Sequence, residues 1–282
     1  MTPDFGPTVP YGTFAPNLLQ RGLMRMGRMI AGGRYERKMA RPLRSALKRV
    51  SPTPLDVTVL GQQRMRLHVQ GNSCEKRMLI IPHLFDRYEL RILSRVLHPG
   101  CTVIDIGANV GIYSIFAALR AGPDAKIIAV EPHPVALERL RCNLAFNDLS
   151  DVVAVEPLAL GDHAGTVQLN ANRRNIGSSS IVFDENAREN NLIEVKGDTL
   201  QGLCAKHGLT AIDAIKLDVE GAEDLILFPF FDAAPRALWP KLLLIENSEE
   251  TWRQDCQAML LGKGYRRKKI PSRNLVFWRP AA

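Results

Sequence analysis

The apolar positions of the chain change period as they run. Val103-Ile104-Asp105-Ile106 is a short run led by a β-branched residue, and Ile112, Tyr113, Ile115, Phe116, Ala118 and Leu119 follow it at helical spacing. The alternation continues with Lys126 to Val130, then a helix opened by His133-Pro134 with Leu137, Leu140 and Leu144 on its core face. Val152 to Val155, Ala214 to Leu217 and Lys241 to Ile245 are further strands, and Asp198-Thr199-Leu200 caps and starts another helix. Short strands that are apolar on both faces and separated by helices predict an open parallel sheet. Thr166 to Asn170 reads as a short extra strand and Glu249 to Leu261 as a helix. Arg266 to Ile270 and Leu275 to Trp278, joined by Pro271-Ser272-Arg273-Asn274, read as a terminal antiparallel hairpin.

Ahead of residue 103 the pattern is different. Leu55 to Leu60 and Arg64 to Val69 flank Gly61-Gln62 as a β-hairpin. Phe85 opens a helix whose core face holds Tyr88 or Glu89 with Ile92, Leu93 and Val96, and which stops at His98-Pro99-Gly100. Residues 1 to 16 are rich in Pro, Gly and Thr, a composition expected to be disordered. From Asn17, residues Leu18, Leu19, Gly22, Leu23, Met26, Met29 and Ile30 fall on one helical face, with Arg21, Arg25 and Arg28 off it. The predicted organisation is a basic extension over residues 1–50 and one domain over 51–282. Within that domain, 51–100 carries the hairpin and lead-in helix, and 101–282 carries the sheet.

Charge sharpens that division. The formal net charge is +8, and residues 1 to 50 hold ten Lys or Arg against Asp4 and Glu36, which is also +8. The remainder has 27 basic (37 − 10) and 27 acidic (29 − 2) residues and is neutral. The body is therefore not a basic nucleic-acid-binding surface, and no nucleic acid is expected as a partner. The leader can cap the domain, trail as a solubilising tail, or lie on an anionic membrane as a peripheral contact. The chain has 282 residues with 46% apolar content, ample for a core, and no run of about eighteen apolar residues that would span a bilayer. Its start lacks the basic-then-apolar build of a secretory signal, and five scattered cysteines without a C-x-x-C suit a reducing cytosol. A cytoplasmic protein, with membrane association through the leader as a variant, is the expected setting.

The turn after the first strand carries the candidate chemistry. A dinucleotide loop wants G-x-G-x-x-G, whereas Asp105-Ile106-Gly107-Ala108-Asn109-Val110-Gly111 is D-x-G-x-x-x-G, with an acid closing the strand. A carboxylate there repels a pyrophosphate and suits a cationic ligand. The second strand ends in Glu131-Pro132, placed to accept both hydroxyls of a ribose. Acids for an ammonium and for a ribose, 26 residues apart (131 − 105), describe S-adenosylmethionine better than a nicotinamide cofactor.

The runs V-I-D-I-G-A-N-V-G-I-Y-S, A-V-E-P-H-P, A-L-G-D-H-A-G and I-K-L-D-V-E-G-A-E together resemble the FkbM family of S-adenosylmethionine-dependent methyltransferases, over roughly residues 57 to 279. The resemblance implies a Rossmann-like class I methyltransferase fold: an α/β, seven-stranded, mostly parallel sheet with a C-terminal antiparallel hairpin. It also implies O-methylation of hydroxyls on sugars, glycans or natural products. It suggests that Tyr88 and Glu89 line the active-site mouth and that Ser178 and Ser179, in the polar loop from Asn172 to Ser180, belong to the acceptor site. Asp162, past strand three, can accept from an adenine amine or simply shape a turn. With Gly107, Asn109, Gly111 and Pro132, these complete the expected cofactor set.

Methyl transfer from a sulfonium is an in-line displacement, so the enzyme must hold the acceptor against the methyl carbon. An aliphatic hydroxyl also needs a base or a metal. Asp218, Glu220 and Glu246 project from adjacent strand ends. Asp218 is expected to contact cofactor or acceptor, with Glu220 or Glu246 as the base, each raising the other's pKa. The same oxygens can hold a divalent cation, though no ligand spacing is diagnostic and no metal site is assigned. Glu223 reads as the first residue of the next helix. No N-P-P-Y-like tetrad follows strand four, which again disfavours nucleobases, and His133, His163 and His207 stand alone. The competing readings are a catalytically silent module of the same fold and a nicotinamide-dependent oxidoreductase.

Overall fold

The computed structural model of the chain describes residues 5–33, 35–170, 176, 180–181 and 192–280. In chain order it begins with helices α1 (Leu18–Arg28) and α2 (Glu36–Val50), a hairpin of β1 (Leu55–Val59) and β2 (Gln63–Leu67), and helices α3 (Ser73–Ile80) and α4 (Arg87–Leu93). The alternating part follows: β3 (Thr102–Ile106), α5 (Ile112–Ala121), β4 (Lys126–Val130), α6 (Pro134–Ala145) and β5 (Val153–Glu156). Next come β6 (Ala159–Gly161), β7 (Gly165–Asn170), β8 (Ser180–Ile181), β9 (Leu192–Thr199) and α7 (Leu200–Lys206). The chain ends with β10 (Ala214–Leu217), α8 (Glu223–Ala233), β11 (Leu242–Ile245), α9 (Cys256–Gly262), β12 (Arg266–Lys268) and β13 (Leu275–Trp278).

Seven strands form the central sheet in the order β12-β13-β11-β10-β3-β4-β5. All pairings are parallel except those of β13 with β11 and β12, as the terminal hairpin required. The strands are apolar on both faces because both faces are covered. One buried cluster joins Val103, Ile127 and Leu244 to α5, α6, the hairpin and the leader, and the other joins Ile104, Ile128 and Leu243 to α7, α8 and α9. The chain leaves β3 toward β4 on one side and returns as β10 on the other, so the carboxyl ends of β3 and β10 mark a crevice.

Several elements differ from the sequence expectations. Residues 5 to 16 are not a loose tail: the Arg66 guanidinium donates to the carbonyls of Phe5, Gly6, Val9 and Pro10, anchoring the segment to the hairpin. The leader is two helices rather than one, and both pack on α3, itself absent from the sequence reading. Its residues Met24, Ile30, Ala40 and Leu47 belong to the main core, so the boundary at residue 50 is a change of charge more than of packing. Thr166 to Asn170 does form a strand, within β7, but the second sheet of β6, β9, β7 and β8 to which it belongs was not expected. The helix expected over 249–261 begins only at Cys256, where the Asp255 side chain accepts from the Ala258 amide.

Candidate active site

The crevice is built by turns that the strands push together. Gly107 follows β3 with φ +73°, and a Cβ on it would stand 1.9 Å from the Asp218 carbonyl oxygen, so only glycine lets the β3 and β10 turns meet. The amides of Gly107 and Ala108 donate to the Val130 carbonyl, and the Asp218 and Glu246 amides to the carbonyls of Ile106 and Leu217. The acidic residues are thereby held in a row across neighbouring strand ends.

Two clefts open there. The first, with about 590 Å³ of empty space, is lined at one end by Gly107, Asn109, Glu131 and Pro132 and at the other by Leu158, Leu160, Leu169 and Ile176. The Glu131 carboxylate accepts from the amides of Asn109 (2.7 Å) and His133 (2.8 Å). Burial nonetheless pushes its pKa up to about 7. The second cleft is larger, about 1840 Å³, and polar. Arg77, Arg87, Tyr88 and Glu89 line one wall, Ser272, Arg273 and Asn274 another, and Gly33, Glu36 and Arg44 of the leader a third. The two clefts share three residues, Asn109, Asp218 and Glu220.

At this junction, carboxyl oxygens of Asp218, Glu220 and Glu246 lie within 4.8 Å of one another. Lys216, the one cation in the apolar β10, reaches into the group from below. Its ammonium is 3.0 Å from Asp218, donates to the Gly107 carbonyl at 3.1 Å and stands 3.9 Å from Asp105. Burial works against the Asp218 carboxylate, but Lys216 outweighs it and holds the pKa below its ordinary value. Burial and then the charge of Asp218 push Glu246 up to about 9. One acid is therefore ionised and its neighbour protonated near neutral pH. Such an arrangement can accept a hydrogen bond at Asp218 while Glu246 donates one. Three clustered oxygens also suffice in number to hold a divalent cation.

Glu220 adopts φ +55°, a conformation that non-glycine residues pay for with local strain of about 1–2 kcal/mol. The fully buried Glu223 holds this turn in place. It accepts from the amides of Val219 (3.2 Å) and Gly221 (3.4 Å) and from the Trp252 indole (2.7 Å). Glu223 does begin α8, but its side chain is the organiser of the turn, and this role was missed by the sequence reading.

The other expected site residues divide plainly. Asn109, Glu131, Pro132, Asp218 and Glu220 line the first cleft, and Tyr88, Glu89 and Glu246 the second. Glu89 is buried, accepting from Ser272 and, at 2.9 Å, from Asn274, and burial raises its pKa. Three of the expected positions line neither cleft. Asp105 does not face a cleft: it accepts from Ser114 at 2.6 Å, while its other oxygen has no hydrogen-bond partner and faces Lys216. The alternation along β3 turns its side chain beneath the turn, where its charge faces Lys216. Gly111 begins α5 with φ +89° and packs against Leu140, away from both clefts. Asp162 is exposed and paired with His163 at 2.6 Å, outside the first cleft. Ser178 and Ser179 lie outside the described residues. Lys216 was the missed member, and the signal was present as a single cation inside an apolar strand.

Residues 105–261 match the model of the Methyltransferase FkbM domain. The chain is 30% identical to Methyltransferase sdnD of Sordaria araneosa, over 58% of this chain and 73% of that protein. It is 28% identical to the 31-O-demethyl-FK506 methyltransferase FkbM of Streptomyces tacrolimicus, over 61% of this chain and 73% of that protein. Among solved structures, a methyltransferase from Geobacter sulfurreducens superposes with a TM-score of 0.43 at 14% identity, over 94% of this chain and 98% of that one.

Proposed function

The chain belongs to the FkbM family of methyltransferases, and we propose that it methylates a hydroxyl oxygen of a small polyhydroxylated acceptor, a sugar or natural product, with S-adenosylmethionine as donor. The observation that carries this reading is the meeting of the two clefts at Asn109, Asp218 and Glu220. A group held in the first cleft and one held in the second approach each other only there, which is the requirement of an in-line transfer.

The first cleft fits the donor by its chemistry. Glu131 would receive the ribose hydroxyls, and the apolar end at Leu158, Leu160 and Ile176 would cover the adenine. Bound there, S-adenosylmethionine supplies a methyl group on a positively charged sulfur. Asp218 orients the acceptor by accepting its hydroxyl proton in a hydrogen bond. An alcohol that gains a methyl becomes a strongly acidic oxonium, so the ionised Asp218, though a weak base, suffices to take the proton. Protonated Glu246 donates to Asp218 and spares the cluster a further negative charge beside Lys216. Ser272, Asn274 and the arginines of the second cleft suit an acceptor rich in hydroxyls. The relative named for 31-O-demethyl-FK506 supports oxygen as the receiving atom. The neutral charge of residues 51–282 supports a small acceptor over a nucleic acid.

The test is calorimetric binding of S-adenosylmethionine and NAD to the protein, followed by labelled methyl transfer to hydroxylated acceptors with Mg²⁺ and with EDTA. Micromolar binding of S-adenosylmethionine alone and label recovered in an ether are expected. Absence of binding, or label on nitrogen, overturns the reading.

A further inference from the structure

The leader is turned so that its apolar strip faces outward. Helix α1 is seated by Gln20, Met24 and Gly27. The Gln20 amide donates to the Val50 carbonyl and the Ser51 hydroxyl at 3.0 Å, and a Cβ on Gly27 would stand 2.2 Å from the Ile80 carbonyl oxygen. That close approach fixes the rotation of the helix. At about 100° per residue, Leu18, Leu19, Gly22, Met26 and Met29 then share one outward strip, and Arg21, Arg25 and Arg28 run alongside it. Leu18 is 85% exposed and Met29 79%. A helix that merely capped the domain would bury its apolar face, as the sequence pattern suggested; this one buries only Leu23 and Ile30 of that set in part or whole.

The fully exposed charges described along α2 are basic. Exposed Lys38, Arg41, Lys48 and Arg49 continue the basic surface along α2, and α1 has no acid in its first turn. We infer that this outward face of the leader is a docking surface for an anionic phospholipid bilayer, with the Leu and Met side chains entering among the acyl chains and the arginines meeting the headgroups. A second copy of the chain is a poor occupant, because a self-complementary contact would set Arg21, Arg25 and Arg28 against their own counterparts. Gly33, Glu36 and Arg44 of the same leader line the second cleft, so docking engages the segment that forms one of its walls. The inference stands whether or not the proposed acceptor is correct.

Flotation of the full chain with vesicles tests it. Binding is expected to phosphatidylcholine vesicles containing phosphatidylglycerol, weakening with salt, and not to phosphatidylcholine alone. The Leu18→Ser/Met26→Ser/Met29→Ser variant alters exposed side chains only and should keep its melting temperature while its partition coefficient falls about tenfold or more. Arg21→Glu/Arg25→Glu should lose the anionic preference. The inference is overturned if wild type does not float at low salt, if the apolar variant partitions like wild type, or if that variant instead converts a non-floating dimer to a monomer.

Discussion

Two cations set against carboxylates, Arg66 and Lys216, are treated in opposite ways. Arg66, in the hairpin, is saturated. It donates twice to Asp56, at 2.8 and 3.0 Å, and to four carbonyls of residues 5 to 10, and it lies over the rings of Phe14 and Phe146. Asp56 in turn accepts from the amides of Gly12 and Phe14. Lys216, under the crevice, serves two acids with one ammonium, and an oxygen of Asp105 is left without a hydrogen-bond partner. A guanidinium offers five donors in a fixed fork, whereas an ammonium is a compact point charge. The first cluster locks a segment of backbone. The second keeps one carboxylate ionised at the place where the clefts meet, and leaves that carboxylate open to a ligand.

The comparison breaks most visibly at the saturated cluster. Arg66→Met leaves Asp56 buried and unpaired and frees four carbonyls, and should cost about 3–5 kcal/mol of stability by chemical denaturation. Methyl transfer per folded molecule should stay near wild type, since Arg66 touches neither cleft. At the open cluster the effects reverse. Asp218→Asn should lower kcat by about 10²–10⁴ while moving the melting temperature far less than Arg66→Met does. A kcat close to wild type would remove Asp218 from the role of proton acceptor.

Why one cluster was visible in the sequence and the other was not follows from range. The acids of the crevice close strands whose apolar runs announce them, so Glu131, Asp218 and Glu246 could be placed from local pattern alone. The sheet, its parallel order and its terminal hairpin were legible for the same reason. The partners of Arg66 were not, because a Pro, Gly and Thr composition describes a segment's own preference and not the guanidinium waiting some sixty residues on. Trp252 was absorbed into a predicted helix because its spacing fits one, yet its indole is spent on Glu223 across 29 residues. Strand β9, Leu-Ile-Glu-Val-Lys-Gly-Asp-Thr, carries polar residues too densely to be read as an inner strand of a second sheet, although it pairs with β6 on one side and β7 on the other. At Asp105 the acid was legible in the sequence, but its burial beside Lys216 was not, because that approach comes from the neighbouring strand.

A smaller effect is expected at Glu131, which probes the first cleft alone. Glu131→Gln should weaken S-adenosylmethionine binding about 10–100-fold by calorimetry, as a charged acceptor for two hydroxyls becomes a neutral amide. The pH dependence has a definite sign. In the folded protein Glu131 titrates at about 7, and only its carboxylate form accepts both hydroxyls. Wild-type affinity should therefore fall about tenfold for each pH unit below that value, and the Gln variant should be flat. Because the folded value is raised, the protonated form is the one that favours folding. Its stabilising contribution is complete below the ordinary glutamate value and is lost as pH rises through about 7.

The smallest change is also the sharpest for the chemistry, because it imitates the state that the cluster already holds. Burial and Asp218 keep Glu246 protonated up to about pH 9. Glutamine has the shape of that protonated acid and can still donate to Asp218, so Glu246→Gln should retain kcat within about tenfold near pH 7.5. A base cannot be replaced in this way: were Glu246 the proton acceptor, the same change should cost about 10²–10⁴. The pH profile separates the two roles again. As pH climbs through about 9, wild-type Glu246 ionises beside Asp218, and both activity and the stability contributed by its protonated form should decline. The Gln variant has no proton to lose there and should hold both, so that the two activity curves cross at the alkaline end.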